Sequence, residues 1–402
     1  MVFVRDGFLL HVTAHEKETL SRLLASREGL ARRLKGCVIE ATFAQQNPGF
    51  LSRLRDLGVP YAIDPQSLRF ASKGFDQFQH LRGLPYAPEA PLSSARQSAA
   101  TEAMVRGAMK FQAHHQPDYY VTPALPVLRP NQAHVGVFQQ THELARRMTV
   151  NGEVPKRPIL ALAAPSTQVL RDPYAVYEQL VDRANVDGVY VIPVRFNAKA
   201  NGVDWLVNYV NFLRSASGWD LPVVASRAGP FGLVLSALGV HSFDSGLGER
   251  ESFDLASQNR IRKPRPDAKR GGGPGTRLYV GRLMTSVPSK AMHVVFGSAT
   301  LRPWFICDRG LCRAGYEAQL LHHREHFAHE RPDELQALAQ LPIGPMRIQY
   351  VADRLKQATE VGEMVNRVLK DGGHKQIPFG HLETWTAVLA RVSEALLAPV
   401  AP

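Results

Sequence analysis

Two acidic side chains stand where strand-like apolar runs end. The run 240–243 leads into Asp244, and the run 60–63 leads into Asp64. An acid that directly follows aromatic and aliphatic residues is desolvated, and desolvation tunes the pKa of a carboxyl group. Two such acids can divide the roles of nucleophile and general acid/base, so Asp244 and Asp64 are the candidate catalytic pair. For Asp64 a plainer alternative stays open, because Asp-Pro is a common way to begin a turn.

Other polar side chains also follow predicted strands. In a barrel of parallel strands, the chemistry lies at the carboxyl ends of the strands, so these positions are candidates for substrate contacts. They are Glu40, Arg195, Asn197, Arg227 and Ser245.

The densest positive cluster in the chain follows Asp244. The segment 260–277 holds seven cations and one acid, among prolines and glycines that oppose regular structure. Such a segment suits contacts with phosphates that release counterions, and its alternative is a solvated surface loop. The candidate nucleic-acid contacts are Arg260, Arg262, Lys263, Arg265, Lys269 and Arg270.

Two cysteines precede a histidine-rich segment. Cys307 and Cys312 are followed by His322 and His326, which share one face of a predicted helix. Two thiolates with one or two imidazoles form a tetrahedral zinc set, so these four residues are the candidate metal ligands. Two free thiols beside a polar helix are the alternative. No feature of the chain requires a redox cofactor.

Alternating strands and helices must position these side chains. About eight strand–helix units favour a (β/α)8 TIM barrel of the α/β class over an open sheet. An open sheet usually has a glycine-rich turn after its first strand, and none follows the run 37–43. Strands are predicted at 37–43, 60–64, 119–122, 159–163, 188–193, 221–225 and 240–243, with an eighth at 278–282 or 292–296.

Helical periodicity is found both inside and after the predicted barrel. We expect a catalytic barrel over 1–298 and a small region with the cysteines, histidines and helices over 299–402. Helices are predicted at 174–184, 205–215, 332–341, 348–369 and 381–397.

The composition restricts the partners and the compartment. The chain has 402 residues and a net charge of +12, which favours acidic partners, nucleic acid first and an anionic membrane surface next. The longest apolar stretches, such as 231–240, are too short to span a bilayer, and the first residues lack a leader pattern. Three cysteines cannot form a disulfide framework for this length, so we expect a protein of the reducing cytoplasm with no membrane partner.

Taken in order, these features resemble the tRNA-guanine transglycosylases and their DNA-modifying relatives, which are TIM barrels that insert 7-deazaguanines. In that family a strand that ends in Phe-Asp carries the nucleophile, a basic loop follows, and a cysteine cluster leads into a helix with paired histidines. The matching features here are Phe243-Asp244, the run 259–277, the pair Cys307 and Cys312, and 321–323. The family's Asp-Ser-Gly-Gly-Phe-Gln motif is absent, and Asp64 takes its place by position alone.

The resemblance implies a mechanism. Asp244 would attack C1′ of a flipped-out nucleotide in tRNA or DNA and expel its base, and a free base would then displace Asp244. Asp64 would carry protons to and from the bases. The expected partners are nucleic acid and a small-molecule base, and a homodimer or a partner subunit stays open.

Two alternatives remain. The first is a barrel that binds nucleic acid, or a partner on it, without chemistry of its own. The second is a TIM-barrel enzyme that acts on a small phosphorylated metabolite held by Arg195, Arg227 and the glycines of 271–273.

Overall fold

Eight parallel strands close into a barrel. The structure is a computed structural model that describes residues 7–14, 16–25, 35–72, 74–129, 131–155, 158–164, 186–217, 221–247, 252–255 and 276–397. The barrel strands are β1 Gly7–Val12, β2 Gly36–Glu40, β3 Tyr61–Asp64, β4 Tyr119–Val121, β5 Pro158–Ala164, β6 Val189–Pro193, β7 Val223–Ala225 and β8 Ser242–Ser245. The predicted (β/α)8 TIM barrel is therefore confirmed.

The first barrel strand was missed by the sequence prediction. β1 closes the barrel by pairing in parallel with both β2 and β8. All six of its residues are buried, including His11. Both positions predicted for an eighth strand are wrong: Arg277–Val280 pairs antiparallel with Thr285–Pro288 outside the barrel, and Ser289–Gly297 is helical. A short apolar run has no periodicity of its own, so it does not distinguish a barrel strand from a hairpin or a buried helix.

Fourteen helices surround and follow these strands in the described part of the chain. They are α1 Lys17–Ala25, α2 Ala41–Gln46, α3 Pro48–Asp56, α4 Gln79–Arg82, α5 Ala99–His115, α6 Gln132–Val150, α7 Val203–Ser217, α8 Gly232–Ala237, α9 Ser289–Gly297, α10 Arg302–Phe305, α11 Tyr316–Leu321, α12 His323–Ala339, α13 Pro345–Asp371 and α14 Gly380–Leu397. None of these helices has the length and apolar character needed to cross a membrane.

Some predicted boundaries move. The strand predicted at 37–43 ends at Glu40, because Ala41–Gln46 forms α2 and the ring of Phe43 packs edge-on against Phe50 of α3. The helix predicted from Pro332 begins at His323, and Pro332 lies inside it. Buried histidines in the first half of this helix hide the helical spacing of apolar residues in the sequence. The helix predicted at 174–184 lies outside the described residues.

Two apolar cores are present among the described residues. The larger joins the barrel to the terminal helices, since Trp385 of α14 and Phe327 of α12 belong to it. The smaller contains Leu278, Val295 and Phe305 together with the inner face of α13. It therefore uses residues on both sides of 298, and the proposed domain boundary there stays a prediction.

Candidate active site and metal cluster

Strand register decides which side chains enter the barrel. Leu9 pairs with Asp244, and successive residues of a strand alternate between its two faces. Phe243 points outward, because its ring meets Gly232 of α8, so Asp244 points inward. By the same alternation His11 of β1 lies on the inner face. The registers of the next strands place Glu40 and Asp64 side by side on that face.

Asp244 is fully buried, and hydrogen bonds hold both of its carboxylate oxygens. The Tyr190 hydroxyl donates to Oδ2 in a short contact, and the backbone N–H of Arg227 donates to Oδ1 at 2.7 Å. Tyr190 is also 2.9 Å from the hydroxyl of Ser226. The strand-end acid is therefore rigidly oriented.

His11 lies between two carboxylates. Its Nδ1 is 3.5 Å from Oδ2 of Asp244, and its Nε2 is 3.6 Å from Oε1 of Glu40. Burial and the charge of Arg227 favour the neutral ring, but the attraction of Asp244 and the close contacts with both carboxylates outweigh them. These contacts raise the pKa of His11 to about 9. The raised pKa favours the imidazolium at neutral pH, in which Nε2 and the Arg227 guanidinium are two donors that face each other at 3.0 Å.

The side chain of Arg227 reaches Glu40, the carboxylate that also contacts His11. Its Nη2 is 3.1 Å from Oε1 of Glu40 and 3.0 Å from Nε2 of His11. Burial raises the pKa of Glu40, but the close contact with His11 and the charges of Arg227, His11 and Arg69 bring it down to about 2. Glu40 is therefore ionised, and together with Asp244 it balances the charges of Arg227 and protonated His11.

The turn after β7 supplies the backbone contacts to Asp244. Arg227 has a left-handed φ of 56°, and Gly229 a φ of 55°. This conformation brings the N–H of Arg227 to the carboxylate of Asp244 and the N–H of Ala228, at 3.0 Å, to its carbonyl oxygen. A non-glycine residue in the left-handed region is strained, and such strain is typical of functional turns.

Asp64 ends β3 in a more open position. Its Oδ1 accepts the backbone N–H of Gln66 at 2.8 Å, which is the turn contact expected of an Asp-Pro pair. The alternative in which Asp64 simply begins a turn thus has structural support. The same carboxyl group also interacts electrostatically with His11, Glu40 and Arg227, so it faces the same interior.

The pKa values of the two candidate catalytic acids are shifted in opposite directions. For Asp64 burial dominates and raises the pKa above its ordinary value. For Asp244 burial acts the same way, but the charge and close contact of His11, the hydrogen bond of Tyr190 and the charge of Arg227 lower the pKa overall. Carboxyl groups whose pKa values are pushed apart are suited to separate acid and nucleophile roles.

The other predicted substrate contacts are dispersed. Arg195 and Asn197 lie exposed on a short outer strand that pairs antiparallel with Ser252–Asp254. Ser245 is buried and donates its hydroxyl hydrogen to the carbonyl of Gly246 at 3.2 Å. The cations Arg260, Arg262, Lys263, Arg265, Lys269 and Arg270 lie outside the described residues, so their contacts stay predictions.

Three site residues were missed from the sequence: His11, Tyr190 and Ser226. The strand that carries Tyr190 was predicted, but its hydroxyl was not noticed. A single polar group on the inward-facing positions of an apolar strand is the signal that could have found His11 and Tyr190, because a buried polar group needs a partner.

Cys307, Cys312 and His326 form a buried cluster. One ligand atom from each lies within 4.8 Å of the others, so the set could hold a metal ion. His322 is not part of it: its Nδ1 lies 3.8 Å from the carboxylate of Glu325. The hydrogen bond from Cys312 lowers the pKa of the Cys307 thiol to about 4, and that of Cys312 rises in turn.

Neighbouring groups prepare this cluster for a metal. Nε2 of His326 is 3.0 Å from the carbonyl oxygen of Tyr279, so it carries the hydrogen and leaves Nδ1, 3.8 Å from the Cys312 sulfur, free to act as a ligand. The side-chain oxygen of Gln319 accepts the backbone N–H of Cys307 at 3.0 Å. Two thiols and an oriented imidazole fit a thiophilic ion.

No protein-family model matches this chain, and no curated protein sequence matches it. The solved structures that match this chain include the following two, each at a low level of similarity. Malate synthase from Haloferax volcanii, in a lead(II) complex, is 10% identical with a TM-score of 0.34, and the match covers 89% of this chain and 98% of that one. Nitroalkane oxidase from Streptomyces ansochromogenes is 13% identical with a TM-score of 0.29, over 98% of each chain.

Proposed function

We propose that this chain exchanges a nucleobase in nucleic acid, with Asp244 as nucleophile and Asp64 as general acid/base. One observation carries the proposal: two carboxyl groups on β8 and β3 face the same barrel interior, and their pKa values are shifted in opposite directions. Asp244 is the ionised member that a nucleophile must be, and Asp64 is the member that holds its proton more tightly.

The reaction takes two displacements. The carboxylate of Asp244 attacks C1′ of the nucleotide, and the bond from C1′ to the base breaks with its electron pair moving to the base nitrogen. Asp64 gives that nitrogen a proton. An incoming base then attacks C1′ and displaces the carboxylate, and its proton returns to Asp64. Atoms and electrons balance without an oxidant or a reductant.

The contacts to Asp244 orient its carboxylate and leave some of its lone pairs unoccupied. A carboxylate offers about four lone pairs, and two are occupied by Tyr190 and by the N–H of Arg227. His11, between Asp244 and Glu40, keeps Asp244 ionised in a buried place where it would otherwise take up a proton.

Charge supports nucleic acid as the substrate. The net charge of +12 and the basic run that follows β8 both favour a polyanion. The base itself is a guanine or 7-deazaguanine only by the resemblance to the transglycosylases, and tRNA and DNA are both open.

For the metal cluster we propose Zn²⁺. Thiolate and imidazole ligands suit this ion, and Cys307, Cys312 and His326 would hold it. Bound there, it would tie the segment 307–312 to α12 as a structural element.

One observation favours a second candidate, the barrel that binds without chemistry. Asp244 is 0% exposed and each of its carboxylate oxygens accepts a hydrogen bond, as in a purely structural acid. The metabolite alternative is weaker, because the guanidinium of Arg227 is paired with Glu40 at 3.1 Å instead of being open to a phosphate.

Base exchange separates these candidates. Purified protein is mixed with radiolabelled guanine and either bulk tRNA or DNA, and the label in the polymer is counted. We expect incorporation by the wild type, a loss in Asp244→Asn, a large decrease in Asp64→Asn, and no change in Asp76→Asn, an exposed acid. Equal incorporation by Asp244→Asn would remove the nucleophile assignment. Salt-dependent binding without incorporation would favour the second candidate.

A further inference from the structure

A buried arginine lies directly behind the turn that holds Asp244. Arg331 of α12 is 0% exposed, and its guanidinium lies between the rings of Phe243 and Tyr279, 5.5 Å from each centroid. Phe243 is the outward-facing neighbour of Asp244. Arg331 therefore touches the outer side of the barrel wall whose inner side carries the candidate nucleophile.

The same guanidinium reaches the turn itself. Nη2 of Arg331 donates to the carbonyl oxygen of Gly229 at 2.9 Å. Gly229 and Arg227 are the two residues of this turn with left-handed φ. A charged donor on that carbonyl stabilises a strained backbone segment that would otherwise relax.

Anchors on the opposite side fix Arg331. Its Nη1 donates to Glu334 at 2.6 Å and to the Tyr279 hydroxyl at 3.0 Å. Glu334 also accepts from Arg354 at 2.6 Å, and Arg354 donates to the carbonyl of Gly281. The planar guanidinium fork can serve Glu334 and Gly229 together, which the single ammonium of lysine cannot.

We propose that Arg331 is a positioning residue that fixes the turn 226–229 and, through the backbone N–H of Arg227, the carboxylate of Asp244. Arg331 lies on the outer side of the barrel wall. Its effect passes from the carbonyl of Gly229 to the N–H groups of Arg227 and Ala228. What the carboxylate is positioned for rests on the proposed function, whereas the restraint on the turn does not.

The test compares two arginines that share one carboxylate, the buried Arg331 and the partly buried Arg354. Arg331→Met loses the hydrogen bonds to Glu334 and to the carbonyl of Gly229 in the turn. The matched control Arg354→Met loses the hydrogen bonds to Glu334 and to the carbonyl of Gly281, and it leaves the contacts of the turn in place. Amide hydrogen exchange of the segment 226–229 is measured by mass spectrometry in the folded proteins. We expect exchange about tenfold faster in Arg331→Met than in Arg354→Met, the factor for losing one charge-assisted hydrogen bond.

A second readout reports on catalysis. If the wild type exchanges bases, Arg331→Met is expected to lower kcat by about tenfold or more and leave KM for the nucleic acid unchanged. Arg331→Lys keeps the charge and is expected to recover part of kcat. A merely structural role would reduce kcat equally in Arg354→Met.

Tyr279→Phe covers the case in which Arg331→Met does not fold. It removes only the hydroxyl between Arg331 and Glu334, and we expect it to speed exchange of the same segment by a smaller factor. Equal exchange in the Arg331 and Arg354 variants, or in Tyr279→Phe and the wild type, overturns the inference. So does faster exchange with an unchanged kcat. The exchange measurement needs no substrate, so its result stands even if base exchange is never observed.

Discussion

Nδ1 of His11 lies 3.5 Å from Oδ2 of Asp244, although the two residues stand at opposite ends of the barrel sequence. The contact exists because β1 and β8 pair and close the sheet, which sets Leu9 opposite Asp244 and places His11 one inward position further along. Barrel closure thus creates the ion pair that keeps the candidate nucleophile charged.

The His11 contact predicts a pH dependence of stability. The pKa of His11 in the folded protein, about 9, lies above its ordinary value of 6.5, so the imidazolium stabilises the fold below pH 6.5 and this contribution is lost as the pH rises through about 9. The loss is on the order of 3 kcal/mol. Urea unfolding of the wild type and His11→Gln measures it, because the difference between their free energies of unfolding should shrink over that range.

His381 provides the control for that experiment. Burial and the charge of Lys199 lower the pKa of His381 to about 4, so it stays neutral across the same range. The difference between wild type and His381→Gln should therefore not change with pH. A difference for His11→Gln that is equally flat would contradict a charged His11.

A close approach behind Asp244 predicts the effect of one methyl group. A Cβ added at Gly232 would lie 2.3 Å from the ring of Phe243, so Gly232→Ala must displace α8 or β8. We expect a loss of about 1–3 kcal/mol in the free energy of unfolding. Gly136→Ala in α6 meets no atom within 4 Å and should be neutral or slightly stabilising. Equal effects of the two changes would rule out tight packing between Gly232 and the ring of Phe243.

The metal cluster predicts which residues are ligands. Cobalt(II) bound by thiolates absorbs strongly, so titration of the metal-free protein should give a sulfur-to-cobalt band. Cys307→Ser, Cys312→Ser and His326→Ala should weaken or abolish it. His322→Ala and Cys37→Ser should keep it, because His322 lies outside the cluster and burial raises the pKa of the Cys37 thiol to about 12. Loss of the band in Cys37→Ser but not in Cys307→Ser would refute the assignment.

The sequence predicts seven of the eight barrel strands, because alternating apolar and helical segments are a strong signal. It also places Asp244, Asp64, Glu40 and Arg227 at strand ends, where register then brings them to one interior. The missing strand is β1, in which all six residues are buried. A fully buried strand has no alternation to identify it, and His11 was lost with it.

Contacts through the barrel wall were not predictable. Arg331 stands in a histidine- and acid-rich helix, and nothing in its spacing points to Gly229, about a hundred residues away. The candidate metal cluster was predicted in part: both cysteines and His326 cluster, but His322 does not. Helical spacing places both histidines on one face, whereas only the carbonyl of Tyr279 decides which of them turns toward the thiols.

The basic run predicts how binding responds to salt. If Arg260, Arg262, Lys263, Arg265, Lys269 and Arg270 contact phosphates, replacing them by Gln should lower the slope of log K against log salt by about 0.7 to 0.9 for each phosphate that is no longer neutralised. Fluorescence anisotropy with labelled tRNA or DNA measures the slope. Replacing exposed cations of α13, such as Lys356 and Lys370, should leave it unchanged. An unaltered slope in the first variant would exclude the run from the interface.

The mass of the protein after incubation with nucleic acid tests the assignment of Asp244 as nucleophile most directly. With tRNA or single-stranded DNA and no free base, the first displacement should leave the polymer joined to Asp244, and denaturing mass spectrometry of digested complexes should find the residual sugar on the peptide that contains this residue. We expect this adduct in the wild type, its absence in Asp244→Asn, and its release by added guanine. An adduct that persists in Asp244→Asn, or that maps to another residue, would contradict this assignment.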